Sequence, residues 1–377
     1  MSGTFSSPAS GPAGWALAAG CWLLAAGGFA GQVRGLPQPV VDEDEAALIQ
    51  KLKTRTPRDE AIEKGVAFLL AAQNEDGSFG SKPKTALTGL SVTALMAAGI
   101  TPDDPEYGKQ IRKAIEYVLA QMVTPSAKSK SNVEGYLGQK DNSRMYGHGI
   151  CTLMLTEAAG MTSDENLEKR LIDAVRKAVK VIVDAQQQPK SEKHKGGWRY
   201  LPGSRDSDLS LTGWQTMALR AARNIGVEVP EQCIADAIAY IRRMAGKDGG
   251  FGYDGPRDHH TLRGVGLLAL PVCGVYDAEE LVKTTRLLLT NPPKFRGPWF
   301  YYSTYYNTVG MYQMGDEAWD RYAPRVDDVL LKNQNKDGSW PEAPSNNEWG
   351  HGGPVYTTSM ALLALAVHYH LLPIYQR

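Results

Sequence analysis

Apolar residues fall in two kinds of run along this chain, and the two kinds alternate. One kind is apolar nearly all round and opens with a small or hydroxyl-bearing residue: Thr85–Gly99, Tyr146–Gly160, Leu209–Gly226, Thr261–Gly274, Tyr305–Met314 and Tyr356–Leu372. The other keeps Lys, Arg and Glu on one face of a helical period: Asp59–Ala72, Tyr107–Gln121, Leu167–Gln186, Glu231–Met244, Asp277–Leu289 and Glu317–Asn333. A helix that is apolar on all sides is buried, whereas an amphipathic one turns a polar stripe to water. The pattern predicts six inner helices, each paired with an outer one.

A repeated turn joins the two kinds. Gln73–Phe79 returns as Gln334–Trp340 with five of seven positions identical, and weaker copies stand at Asp248–Gly252 and at Gln186 with Gly196-Gly197-Trp198. The Gln can reach a backbone group, Asp-Gly makes a tight turn that needs positive φ, and the aromatic ring packs the turn against its neighbour. Small residues at Gly89, Gly149, Gly213, Gly264, Gly310 and Ser359 mark the inner runs at intervals of 46 to 64 residues. Those intervals are too long and uneven for an open solenoid of short repeats. The expected fold is all-α: an α/α toroid, six helical hairpins closed into a ring, with an ordinary helical solenoid as the alternative.

The first 33 residues carry no Lys, Arg, Asp or Glu, and Trp15–Ala30 is almost wholly apolar or Gly. This reads as a signal peptide ending near Gly28-Phe29-Ala30, or as an N-terminal membrane anchor, so the expected location is exported or membrane-associated. Residues 34–58, with Asp42-Glu43-Asp44-Glu45, read as a linker, and 59–377 as the toroid. The 41 basic and 41 acidic residues cancel, which gives no electrostatic footprint for a nucleic acid. Cys151, Cys233 and Cys273 lie in apolar helical contexts without metal-type spacing and read as buried thiols.

In such a ring, polar residues just before the inner helices gather at the mouth of a central cavity. They are Tyr146 and His148; Asp206 and Asp208; Asp258, His259 and His260; Tyr301, Tyr302, Tyr305 and Tyr306; and His351 with Tyr356. The mouth is expected to be acidic, imidazole-bearing and aromatic.

The Gln…Asp-Gly-Ser-Phe/Trp units resemble the QW-type repeats of the squalene–hopene and oxidosqualene cyclases and of the protein prenyltransferase β subunits, over about Asp59 to Tyr375. In the cyclases an Asp-x-Asp-Asp-Thr motif protonates an alkene or epoxide. Asp206-Ser207-Asp208-Leu209-Ser210 is similar. The resemblance implies Asp208 as general acid with Asp206 supporting its protonated form, and Leu209 departs from the motif. Helix capping by both carboxylates is the alternative. The prenyltransferases hold zinc through Asp-x-Cys and a later His. Here Asp258-His259-His260 resembles the first pair and His351 stands near the third, so Asp258, His260 and His351 form the candidate zinc set, against a reading with no cofactor. The implied ligand is an isoprenoid or similar apolar molecule, touched by His148, Trp214, Tyr302, Tyr305 and Tyr356, whose π faces would suit it; core packing is the alternative for these rings.

Residues 59–377 hold neither the second domain of the larger cyclases nor an α subunit. A protein partner and a non-catalytic binding scaffold therefore stay open. So does an exported polysaccharide hydrolase or lyase using Asp206, Asp208, Asp258 and Glu348, since six-hairpin toroids carry those activities too. A closed, apolar, aromatic-lined pocket favours the isoprenoid, and an open polar cleft the sugar.

Overall fold

The computed structural model describes residues 55–124, 133–344 and 348–375. The chain divides into an N-terminal unit, Met1–Thr54, and a second unit from Arg55 onward. The N-terminal unit, and with it the apolar segment and most of the linker, lies outside the described residues. No helix among the described residues is long and apolar enough to cross a membrane.

The second unit is all-helical, with twelve α-helices among the described residues. The outer members are α1 (Pro57–Ala71), α3 (Gly108–Gln121), α5 (Glu165–Gln186), α7 (Glu231–Arg243), α9 (Glu279–Thr290) and α11 (Asp316–Leu331). The inner members are α2 (Lys84–Ala97), α4 (Arg144–Gly160), α6 (Leu209–Asn224), α8 (Arg263–Val272), α10 (Phe300–Met314) and α12 (Gly353–Leu365). Each inner helix packs on the next, and α12 packs on α2 while α11 packs on α1, so the ring closes. The alternation of apolar and amphipathic runs is the cause. Inner helices are buried along almost every residue, α3, α5 and α7 along one stripe.

Two devices hold neighbouring hairpins together. The small residue in each inner helix is where a neighbouring inner helix comes close: a Cβ on Gly89 would crowd Cys151 of α4, and one on Gly149 would crowd Gln215 of α6. At the closing seam the equivalent residue is Ser359, whose Oγ meets Ser91 Oγ of α2 at 3.0 Å. The repeated turn is the second device. Gln73 Nε2 donates to Gly77 O and to Gln110 O of α3, and Gln186 Nε2 to Gly196 O and Cys233 O of α7. Gln334 Nε2 does the same to Gly338 O and to Ala61 O of α1. The staple that joins successive hairpins thus also joins the last to the first. The glycine of each turn lies against a carbonyl of the following outer helix, and Gly135 before Tyr136 is one more copy, seated on Lys177 of α5, that the sequence pattern did not reveal.

Two helix boundaries differ clearly from expectation: α12 ends at Leu365, seven residues before Leu372, and α10 starts early. α10 begins at Phe300, five residues before Tyr305, because the buried Glu348 carboxylate accepts from Tyr301 N at 3.0 Å and Tyr302 N at 2.9 Å. A cap supplied from 46 residues downstream leaves no local signal.

Candidate functional site

The inner helices run in parallel, so their N-terminal turns and the loops before them share one end of the ring. They enclose a central cavity of about 610 Å³. Leu87 and Leu90 of α2, Tyr146 and Ile150 of α4, Ser210 and Trp214 of α6, Tyr302 of α10, and Tyr356 and Met360 of α12 line its wall. Tyr200, Tyr253, His259, Trp299 and His351 line it from the preceding loops. The opposite end is filled by the C-terminal segment. Leu372, Ile374 and Tyr375 are buried there, Gln313 Nε2 donates to Tyr375 O, Tyr375 OH donates to Tyr305 OH at 3.1 Å, and Ile374 N donates to Glu157 Oε2.

The cavity wall is tied by hydroxyls. Tyr146 OH donates to Ser210 Oγ at 2.8 Å, and Ser210 Oγ and Tyr302 OH share a hydrogen bond of 2.6 Å, so one serine joins α4, α6 and α10. Tyr356 OH donates to Glu348, whose burial raises its carboxyl above the ordinary range. The wall is also strained. Four non-glycine described residues have left-handed backbone, and three of them, Asn142, Arg144 and Trp299, line the cavity. Such residues persist only where the surroundings over-determine them, and they gather at functional sites.

Asp208 is 0 % exposed and has three partners. It caps α6 by accepting from Leu211 N at 2.8 Å, pairs with Arg199 Nη1 at 3.1 Å, and accepts from Tyr253 OH at 3.0 Å. Burial pushes its carboxyl up to about 6, although the Leu211 amide and Arg199 pull the other way. Its side chain does not line the cavity; Tyr253 stands between, and Tyr253 OH and Tyr200 OH are 2.8 Å apart. Asp206 has a side chain 51 % exposed and meets the same guanidinium, Nε at 3.3 Å. Arg199 therefore pairs with both carboxyl groups.

The other expected site residues divide. Trp214, Tyr302 and Tyr356 line the cavity. His148 does not: it is fully buried and faces outward, where Leu137 N donates to Nδ1 and Nε2 meets Ala178 O of α5, and desolvation lowers its pKa to about 4. Tyr305 lies beneath the cavity, its ring 5.9 Å from Trp214 and nearly parallel. Asp258 is held by both forks of Arg263, and His260 stacks on His259 and opens to a separate pocket of about 260 Å³ with Arg263 and Lys294. His351 packs on Trp299. Asp258, His260 and His351 are thus in three settings, and no group of three His, Cys, Asp or Glu placed for a metal exists among the described residues. Tyr253, Ser210 and Arg144 were not anticipated. A signal for Tyr253 was present: like Tyr200, it stands two residues past the aromatic of a turn.

No protein-family model and no curated protein matches the sequence. Solved structures do. The GH76A α-1,6-mannanase of Salegentibacter sp. HEL1_6 is similar at a TM-score of 0.60 and 12% identity, over 83% of this chain and 99% of that one. The type II terpene cyclase MstE from Scytonema, in complex with geranylgeranyl dihydroxybenzoate, is similar at 0.51 and 16% identity, over 86% and 100%. The Candida albicans protein geranylgeranyltransferase-I with GGPP is similar at 0.52 and 15%, over 84% and 95%. At these identities the likeness shows the fold, an α/α toroid shared by terpene cyclases, prenyltransferases and sugar-acting enzymes.

Proposed function

We propose that the ring holds an elongated apolar molecule of the isoprenoid class in its central cavity. The observation that carries this reading is the character of the wall: about 610 Å³ faced mostly by leucine, isoleucine, methionine and aromatic side chains, with Arg144, two imidazoles and a few small polar groups toward the rim and no carboxylate among them. That volume suits a small-molecule ligand, and the aromatic faces suit a polyene. Hydrolysis of a glycosidic bond generally needs two carboxyl groups flanking the bond. Asp206 is turned to solvent beside Arg199, and Asp208 and Glu348 stand behind tyrosines, so the sugar reading finds no pair in the cavity. Two of the structural neighbours bear geranylgeranyl compounds. The apolar N-terminal segment would bring the ring to a membrane, where such a ligand is dissolved.

Full-length protein, purified without added lipid, is expected to release a polyprenyl-type molecule on solvent extraction and mass spectrometry, and Trp214→Ala to release less than half as much. Absence of any apolar molecule, together with no change in tryptophan emission on adding squalene, would leave the ring as a scaffold.

One contact favours conversion of the ligand over storage. Tyr253 lines the cavity and its OH lies 3.0 Å from Asp208 Oδ2. When Asp208 carries a proton the bond reverses, Asp208 donates to the Tyr253 oxygen, and the phenol proton is free to pass to an alkene carbon as the Asp208 proton replaces it. Burial raises the Asp208 carboxyl to about 6, so the protonated form is populated in mildly acidic solution and is a minority at neutral pH. A cyclised product from squalene or a shorter polyprenyl substrate, lost in Asp208→Asn, is the expected result; product from both proteins would exclude the route.

A further inference from the structure

An exposed arginine at a protein surface is ordinarily solvated and carries no message. Arg144, the first residue of α4 and part of the cavity wall, is different in three respects.

Its backbone is fixed in an unfavourable conformation. Arg144 has φ 59°, as does Asn142 two residues before it. Bonds on every side impose this: Arg144 N donates to Gly138 O at 2.9 Å, Met145 N to Tyr200 O at 2.9 Å, and Gln215 Nε2 of α6 to Met145 O at 2.8 Å. Asp141 ties the same loop to α2 by accepting from Thr85 N at 2.7 Å. A strained residue held from three neighbouring hairpins keeps its backbone, and so the root of its side chain, in one place at the rim.

Its charge is uncompensated. No carboxylate pairs with Arg144 among the described residues; Nε makes one long bond, 3.4 Å, to Asn142 Oδ1. The contrast is Arg199, which shares the Tyr200 ring with it: the guanidiniums stand 5.9 Å and 4.7 Å from the ring centroid, yet Arg199 meets two aspartates. The cavity adds nothing negative. Its polar lining beside Arg144 is Asn142, Ser143, Ser210, Thr261, tyrosine hydroxyls and the imidazoles of His259 and His351.

We propose that the rim at Arg144 is an anion subsite, so that the ligand is an apolar chain ending in a carboxylate or phosphate. The chain lies among Leu87, Leu90, Trp214 and Met360, and the head takes the free fork of the guanidinium, a planar pair of donors that matches either oxyanion. This rests on the central cavity being the apolar binding site.

The test uses three probes with one tail: geranylgeraniol, geranylgeranoic acid and geranylgeranyl monophosphate. Binding to the full-length protein is read by quenching of tryptophan emission, since Trp214 and Trp299 line the cavity. An anionic probe is expected to bind roughly ten- to a hundredfold more tightly than the alcohol, the range for a charge-assisted pair. Arg144→Gln, which keeps the length and polarity, should reduce that preference to within about twofold while the alcohol's affinity holds. Arg144→Lys should retain part of it, and rising salt should erode it in the unaltered protein. Preference for one anion over the other identifies the head. Equal binding of acid, phosphate and alcohol, or a preference that survives both Arg144→Gln and high salt, overturns the subsite and leaves the apolar cavity standing. Failure of all three probes to bind overturns both.

Discussion

Replacing Gly338 by alanine tests whether the repeated turn closes the ring. Gly338 has φ 88°, and a Cβ there would stand 2.6 Å from the carbonyl carbon of Lys64 in α1, with the carbonyl oxygen closer still. Two costs add. Left-handed backbone costs a residue with a Cβ about 1–2 kcal/mol. The overlap is with backbone, which cannot swing aside, so the turn must lift from α1 and weaken the Gln334 Nε2 bond to Ala61 O, a further ~1–2 kcal/mol. Gly226 separates the two costs. Its φ is 78°, but an added Cβ there has nothing within 4 Å. At about 2 cal/mol/K of unfolding entropy per residue, each kcal/mol moves the Tm of a ring of this size by roughly 1.5 °C. Gly338→Ala should therefore lower Tm by about 3–6 °C and Gly226→Ala by about 1.5–3 °C, read by calorimetry on the same preparation. Gly77→Ala, in the staple between the first and second hairpins, should match Gly338→Ala, because the ring has no special seam. Equal shifts for Gly338→Ala and Gly226→Ala would refute the reasoning.

Glu157 carries a second prediction. Burial lifts its carboxyl from an ordinary 4.5 to about 8, opposed by one bond from Ile374 N. The folded state therefore holds a proton that the unfolded chain releases, and stability falls as pH rises from about 4.5 to 8. Glu157→Gln keeps an acceptor and removes the ionisation; above pH 8 it should melt higher than the parent, by up to roughly 5 kcal/mol, with the gap closing toward pH 5, and parallel pH–Tm curves would contradict this. Ser210→Ala should lower Tm by about 2–4 °C, since two phenols on α4 and α10 lose their common partner; an unchanged Tm would show that the bridge carries no stability.

The candidate site was only half legible in the sequence. The outer-to-inner loops at Asp206–Asp208, Asp258–His260 and His351 do lie at the end of the ring where the inner helices start. Which side chains enter the cavity did not follow. An inner helix that is apolar all round has no polar face to mark its orientation, so period alone cannot say whether His148 looks in toward the cavity or out toward α5. It looks out, because Leu137 N and Ala178 O are there to satisfy both ring nitrogens. The same ambiguity put Tyr305 on the wall when it belongs to the layer beneath Trp214.

The sequence by itself determined the number of hairpins, the order of inner and outer helices and the staple between them, since burial period and turn chemistry are local properties of consecutive residues. Tertiary structure decided the chemistry. Asp208 draws its partners from Arg199 and Tyr253 in two different loops, Glu348 caps a helix 47 residues upstream, and the uncompensated charge of Arg144 appears only once the whole rim has assembled. Charge pairing and cavity shape depend on distances between segments far apart in the chain, and only the closed ring sets those distances.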